Sequence, residues 1–343
     1  MIDPTQSVDR ELTIDVHGLS KHYPIRAALV PGNAAPLKAV DDVSFSIARG
    51  EVLGLAGESG SGKSTTGAML LGLERPTAGA IHFTGLGLID PCDRRIRRTY
   101  SRVAQLVFQN PYEALNPRHT VATSIREPLE IHFPRDRATQ ERLLIRAMER
   151  AGLRPHCNFA DRYPHELSGG QLQRVAIARA IALEPSLLVA DEPVAMLDVS
   201  IRAGILNLFR EFAEGAGMAI LYVSHDLSTM RHVCGRVAVM YRGRIIEIGA
   251  AADVLDAPRH PYTRALAAAV PGLQPRSARP APSANDLREV VSQPKSGCLF
   301  HPRCAAATDR CRAAVPSLRT LPEGRAVACH LVEGEAREGG IAP

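Results

Sequence analysis

The run Gly57, Glu58, Ser59, Gly60, Ser61, Gly62, Lys63, Ser64 follows the apolar segment EVLGLA and precedes TTGAMLLGL, a stretch patterned for a helix. Its glycines let the backbone turn so that N–H groups point inward, where they can surround phosphate oxygens. Lys63 supplies a cation for the β and γ phosphates, the Ser64 hydroxyl is suited to Mg²⁺, and Thr65 follows at the helix start. Charge-assisted contacts of about 1.5–3 kcal/mol each outweigh the roughly 0.3–1 kcal/mol of a helix dipole, so aimed donors and metal dominate binding. A loop of this kind works only between a buried strand and a helix N-terminus, which directs the chain towards an α/β nucleotide-binding fold.

Other apolar runs repeat the pattern: QLVF before Gln109, LLVA before Asp191, and AILYVS before His225. Continuous apolar runs suit strands of a parallel sheet buried on both faces. Ligands gather at the carboxyl ends of such strands, so these separate strand ends are expected to supply one site. Asp191 and Glu192 are successive, and their side chains must diverge. Asp191 is assigned to Mg²⁺ through water, and Glu192 to the attacking water as general base. Gln109 is placed to sense Mg²⁺ and water, and His225 to contact the γ phosphate. Singly, each would read as an ordinary polar loop residue; their weight comes from occurring together.

Elsewhere the signals are structural. Leu12, Ile14 and Val16, then Val43, Phe45 and Ile47, alternate as in short strands around a Pro/Gly/Ala loop over 24–39. Ile201, Ile205, Leu208, Phe209 and Phe212 recur at helical spacing after Asp198 and Ser200, either of which can cap. Leu143, Leu144, Ala147 and Met148 mark another packed helix, and the Pro/Ser/Ala-rich stretch 272–297 reads as a linker. A length of 343 residues accommodates one large α/β domain with an accessory segment, or two modest domains. The apolar runs fall short of the roughly 18 residues of a membrane span, and MIDPTQSVDRELTIDV has no secretory pattern, so a cytosolic chain is expected. The net charge of +5 is scattered among acids, which gives nucleic-acid binding little support. Seven cysteines, an odd number, argue against a disulfide framework. Cys92, Cys157 and Cys234 stand alone, whereas Cys298, Cys304, Cys311 and Cys329 crowd the end. Their spacing leaves free thiols, zinc and an iron–sulfur cluster equally open.

LSGGQ immediately precedes the helical run LQRVAIARAIALEP, expected to close at Pro185, so Ser168, Gly169, Gly170 and Gln171 form a second anion-binding helix N-terminus. With GESGSGKS, VADEP and VSHD in this order, the chain resembles the ABC ATPase family. The resemblance implies a P-loop NTPase (RecA-like) core with an antiparallel β subdomain over 1–94 and 172–250, a helical signature subdomain over 95–171, and a C-terminal extension over 251–343. It also implies a head-to-tail dimer, in which Ser168, Gly169, Gly170, Gln171 and Asp198 contact ATP held by the partner's phosphate loop. Tyr23, which alone reads as a strand-end packing residue, matches the family's adenine-stacking aromatic.

VFQNPYEALNPRHTV, RYPHELSGGQLQRVAIARA, VSHDLSTMRHVCGRVAVMYRGRIIEIG and HPYTRAL resemble more narrowly the ATP-binding subunits of oligopeptide and dipeptide permeases. That group pairs two distinct ATPases with two transmembrane permease subunits and an extracytoplasmic solute-binding protein, at the cytoplasmic face of the bacterial inner membrane. It also implies a four-iron, four-sulfur cluster on Cys298, Cys304, Cys311 and Cys329. Within the transporter class, nickel, glutathione or glycosides are alternative solutes. A soluble ABC ATPase acting on ribosomes or DNA is the reading from another class, but it would carry two cassettes or a coiled-coil insertion. Ala195, Met196, Leu197 and Asp198 stand where the family usually reads SALD, so altered communication between the paired sites is expected, with hydrolysis kept. The linker before Cys298 follows the family's proline-rich pattern only loosely.

Overall fold

The structure, a computed structural model, describes residues 11–24, 36–90, 93–270, 294 and 296–335. Cys92, most of the early Pro/Gly/Ala loop and nearly all of the linker before Cys298 lie outside the described residues.

β1 (Leu12–Tyr23) and β2 (Leu37–Ala48) pair antiparallel, with Val16 opposite Phe45 and Leu19 opposite Val43. Ile14, Val16, Val43, Phe45 and Ile47 face inward and are buried, as period-two alternation requires. Both strands are 12 residues long, where the sequence suggested short ones. Register shifts between Val16 and Leu19 and beyond let β1 bend without losing its partner. Leu12, at the open end, is 40% exposed and contributes little to the core.

The chain then leaves for a second sheet through β3 (Val52–Ala56), followed by α1 (Lys63–Leu70). It returns in β4 (Ala78–Phe83) and β5 (Gly87–Leu88), completing the order β2-β1-β4-β5. α2 (Arg94–Val103) leads into β6 (Ala104–Val107). A helical excursion follows: α3 (Pro111–Ala114), α4 (Val121–His132), α5 (Arg137–Arg150), α6 (Cys157–Ala160) and α7 (Gly169–Ile181). Ile125, Leu129, Leu144, Met148, Leu172 and Val175 pack this group together. α7 stops at Ile181, short of Pro185, and Glu184 beyond it takes a left-handed φ of 51°.

β7 (Leu187–Asp191), α8 (Val199–Ala216), β8 (Ala219–Ser224), α9 (Leu227–Val233), β9 (Arg236–Tyr241) and β10 (Arg244–Ala250) complete the large sheet's centre. Beyond it come α10 (Ala251–Asp256), α11 (Pro261–Ala268), α12 (Asp309–Ala313), β11 (Arg319–Thr320) and β12 (Ala326–Val327). The order is β11-β12-β10-β9-β3-β8-β7-β6, parallel from β9 to β6 and antiparallel on the other side. Alternate residues of β8 feed opposite cores: Ile220 and Tyr222 join the helical side, Leu221 and Val223 the β1–β2 side. Two-sided burial explains why β3, β7 and β8 read as unbroken apolar runs. The cysteine tail is continuous with this sheet, because β12 pairs with β10.

Candidate functional site

The loop between β3 and α1 closes tightly on its neighbours. A Cβ on Gly62 would lie 2.3 Å from the Ala39 carbonyl oxygen, and one on Gly57 2.4 Å from that of Met240. Both also have left-handed φ, 103° and 150°, so glycine is required there by clash and by conformation. Lys63 starts α1, and its ammonium donates to the carbonyls of Gly57 (2.8 Å) and Glu58 (2.9 Å). Burial lowers the Lys63 pKa from the ordinary lysine value, against the opposing charges of Glu192, Asp191 and Glu58.

Asp191 ends β7, and its neighbour turns away. Glu192 has a φ of 45°, which is left-handed, while its N–H donates to the Val223 carbonyl (2.9 Å). That turn follows directly on β7, and both carboxylates line the same cleft. Burial raises the Asp191 pKa, with the Ser64 hydrogen bond and Lys63 opposing. The Glu192 carboxylate accepts from Gln109 Nε2 (3.0 Å) and stands 2.8 Å from His225 Nδ1. Gln109 follows β6 and His225 follows β8, so side chains from the two strands flanking β7 converge on the carboxylate at its end.

Ser59, Gly60, Gly62, Lys63, Ser64, Thr65, Gln109, Asp191 and Glu192 line a cleft of about 280 Å³. A larger cavity, about 470 Å³, lies between β9–β10 and the tail, but its lining of Tyr241, Arg244, His260, Phe300 and Leu318 lacks the phosphate loop. The oxygen set of Ser64, Gln109 and Asp191 suits a hard cation such as Mg²⁺. Tyr23 ends β1 with the Lys21 ammonium over its ring at 5.0 Å and is not in the cleft lining.

The signature residues are elsewhere as well. Ser168 caps α7 in a reciprocal box: its hydroxyl accepts from the Gln171 N–H (3.3 Å) and the Gln171 side chain accepts from the Ser168 N–H (3.0 Å). Gly170 packs against Ile201, where a Cβ would meet Cγ2 at 2.7 Å. Asp198 occupies the N-cap position of α8 without a side-chain cap bond, so its carboxylate is left outside the helix; Ser200 lies within α8.

Cys298, Cys304, Cys311 and Cys329 line one small pocket together with His301, His330 and Phe300. Burial raises the Cys298 thiol, with Cys311 and Cys304 adding to it, and burial with the other three cysteines pushes Cys329 up to about 12. Soft thiols on a shared pocket fit iron or zinc in donor chemistry. Among the described residues, no three His, Cys, Asp or Glu side chains are grouped closely enough to form a ready metal site. Cys157 is exposed and Cys234 is buried.

Sequence reading missed two contacts on the loop. Tyr262 and Arg303 reach Glu58 from 204 and 245 residues further along the chain. Neither has a local signal: HPYTRAL carries only the resemblance to the permease group, and Arg303 stands beside Cys304 in the cysteine tail.

Two family matches divide the chain. The profile "ABC transporter" matches residues 40–195, and "Oligopeptide/dipeptide transporter, C-terminal region" matches 246–311. The chain is 45% identical over 331 residues to the probable peptide ABC transporter ATP-binding protein y4tS of Sinorhizobium fredii, covering 96% of this chain and 92% of the relative. It is 40% identical over 327 residues to the oligopeptide transport ATP-binding protein AppF of Bacillus subtilis, covering 95% and 99%. A bacterial ABC transporter cassette solved as a dimer superposes with a TM-score of 0.60 at 27% identity, covering 69% of this chain and 98% of the cassette.

Proposed function

The chain belongs to the ABC transporter ATP-binding proteins, and from that premise we propose that it is the motor of a bacterial peptide importer. As a member of that family it is an ATPase. The observation that carries the reading is the cleft at the carboxyl edge of the parallel strands, where Lys63, Ser64, Gln109, Asp191 and Glu192 meet.

Backbone N–H groups of the glycine loop at Ser59, Gly60 and Gly62 and the Lys63 ammonium bind the nucleotide's phosphates, and Tyr23 stacks on adenine. Ser64, Gln109 and Asp191 hold Mg²⁺, which when bound neutralises charge on the β and γ phosphates. Glu192 accepts the proton of the attacking water, and His225 orients that carboxylate through its Nδ1 contact of 2.8 Å. Catalysis is chiefly positioning and charge neutralisation.

Ser168, Gly169, Gly170, Gln171 and Asp198 complete the site of a second, non-identical ATPase. Support comes from their location outside this chain's cleft, and from Met196 and Val199, which flank Asp198 at 65% and 80% exposure. Two transmembrane permease subunits dock on the helices around 95–165, where Tyr112 is exposed close to Gln109, and a solute-binding protein delivers peptide from outside. Among the described residues, no helix is long and apolar enough to cross a membrane, in keeping with a peripheral subunit at the cytoplasmic face. Co-purification with two membrane subunits and a second ATPase, and turnover that rises when peptide-loaded binding protein is added, are the expected results. Turnover indifferent to peptide, or an assembly without membrane subunits, would sink the importer reading.

The same reading gives the tail a [4Fe–4S] cluster on Cys298, Cys304, Cys311 and Cys329, supported by their shared pocket. Anaerobically purified protein should carry iron and acid-labile sulfide, lost on Cys311→Ser. Zinc, or no metal, overturns the assignment.

A further inference from the structure

Glu58 is the one acidic residue of the phosphate loop GESGSGKS, an odd guest where phosphate anions must bind. Its carboxylate and its N–H are nevertheless both engaged by the C-terminal extension. The carboxylate accepts two parallel bonds from Arg303, Nη1 to Oε2 at 3.1 Å and Nη2 to Oε1 at 3.0 Å. The Glu58 N–H donates to the Tyr262 hydroxyl (2.9 Å), and its carbonyl receives Lys63 Nζ (2.9 Å). Arg303 and Tyr262 both come from beyond β10, and Arg303 directly precedes Cys304.

The support behind these contacts is stiff. The Arg303 side chain is only 5% exposed, whereas that of Glu58 is 38% exposed. The guanidinium lies 5.6 Å from the ring centres of both Tyr241 and Phe300, and it donates to the Tyr241 hydroxyl at 3.3 Å. Tyr241, Tyr262 and Phe300 pack on one another with ring centres 4.7–5.5 Å apart. A bidentate guanidinium fixes a carboxylate in direction as well as in charge. Glu58 is also one of the three carboxylates whose charge acts on Lys63.

We infer that the C-terminal extension is a working part of the phosphate site: Arg303 and Tyr262 are positioning residues that clamp Glu58, holding its carboxylate off Lys63 and fixing the loop backbone for nucleotide. This deepens the ATPase reading and rests on it. A released Glu58 carboxylate competes with phosphate oxygens for Lys63, so losing Arg303 weakens ATP binding more than it slows the chemical step. Phe300 and Cys304, which line the four-cysteine pocket, are respectively Arg303's ring contact and its neighbour in the chain.

The test uses the assembled transporter for KM and kcat and the full chain for ATP Kd. Arg303→Met keeps the apolar packing and removes the fork; it should raise KM and Kd about fivefold with kcat within about twofold. Adding Glu58→Gln to Arg303→Met removes the competing charge and should return KM to within about twofold of wild type, a rescue that mere loss of tail docking would not give. Unchanged KM in Arg303→Met, a fall in kcat alone, or a double variant as impaired as the single overturns the clamp. Thermal unfolding identifies an Arg303→Met protein that fails to fold. In that case Tyr262→Phe decides, a raised KM supporting the clamp and an unchanged one overturning it. Wild-type transporter that does not turn over ATP would refute the ATPase reading itself; wild-type turnover with unshifted variants refutes only the clamp.

Discussion

Glu192, the proposed general base, is a strained residue held by two neighbours. A left-handed φ of 45° on a residue with a side chain costs on the order of 1 kcal/mol, and here it turns the carboxylate out of the β7 line while the N–H still bonds Val223. Gln109 Nε2 and His225 Nδ1 then hold the two carboxylate oxygens from either side, at 3.0 and 2.8 Å. A group so fixed is suited to orient and deprotonate one water. Glu192→Gln keeps the shape and removes the basicity, so it should leave ATP binding intact and lower turnover by about 10²-fold or more. Near-normal turnover in the purified complex would remove Glu192 from that role. The pairing of Asp191 with Glu192 was visible in VADEP; the contact of both Gln109 and His225 with Glu192 was not, because it depends on how far apart the ends of β6, β7 and β8 fall.

At the scale of elements, β10 joins the tail to the nucleotide core. Glu247 is fully buried on this strand, and its carboxylate accepts the N–H groups of Arg259 (2.8 Å) and His260 (2.9 Å) at the approach to α11. Arg325, just before β12, lies 3.7 Å away and donates to the carbonyls of Asp253 and Ala257. One buried carboxylate thus ties together β10, the turn into α11 and the last strand of the sheet. Glu247→Ala would strand two backbone donors and weaken the pairing of a buried guanidinium, costing about 3 kcal/mol. Chemical denaturation of the purified chain measures this, and a loss below about 0.5 kcal/mol, the range of an ordinary surface change, would contradict it. In sequence, Glu247 is a lone acid in GRIIEIG, and nothing local distinguishes it from a solvated strand residue.

Across the whole molecule, the five-strand parallel centre brings the carboxyl ends of β3, β6 and β7 to one cleft, while the antiparallel flank carries the tail. The signature loop belongs to the same chain but not to that cleft, and under the proposed reading it serves the nucleotide of a second ATPase. Much of this arrangement was written locally. The glycine loop, the unbroken apolar runs and the cap at Ser168 each follow from short-range backbone geometry and two-sided burial, which act within a few residues of the chain. Family membership and the meeting of Lys63, Asp191 and Glu192 in one cleft were legible for that reason. Local pattern did not reveal that β1 and β2 extend for 12 residues, that α7 ends before Pro185, or that Asp198 leaves its carboxylate unbonded at the head of α8. Nor did it link Glu58 to Arg303 and Tyr262. Such contacts join residues hundreds of positions apart, and their existence is decided by how β9, β10 and the tail pack, since a side chain's partner is set by distance in space once the sheet has closed.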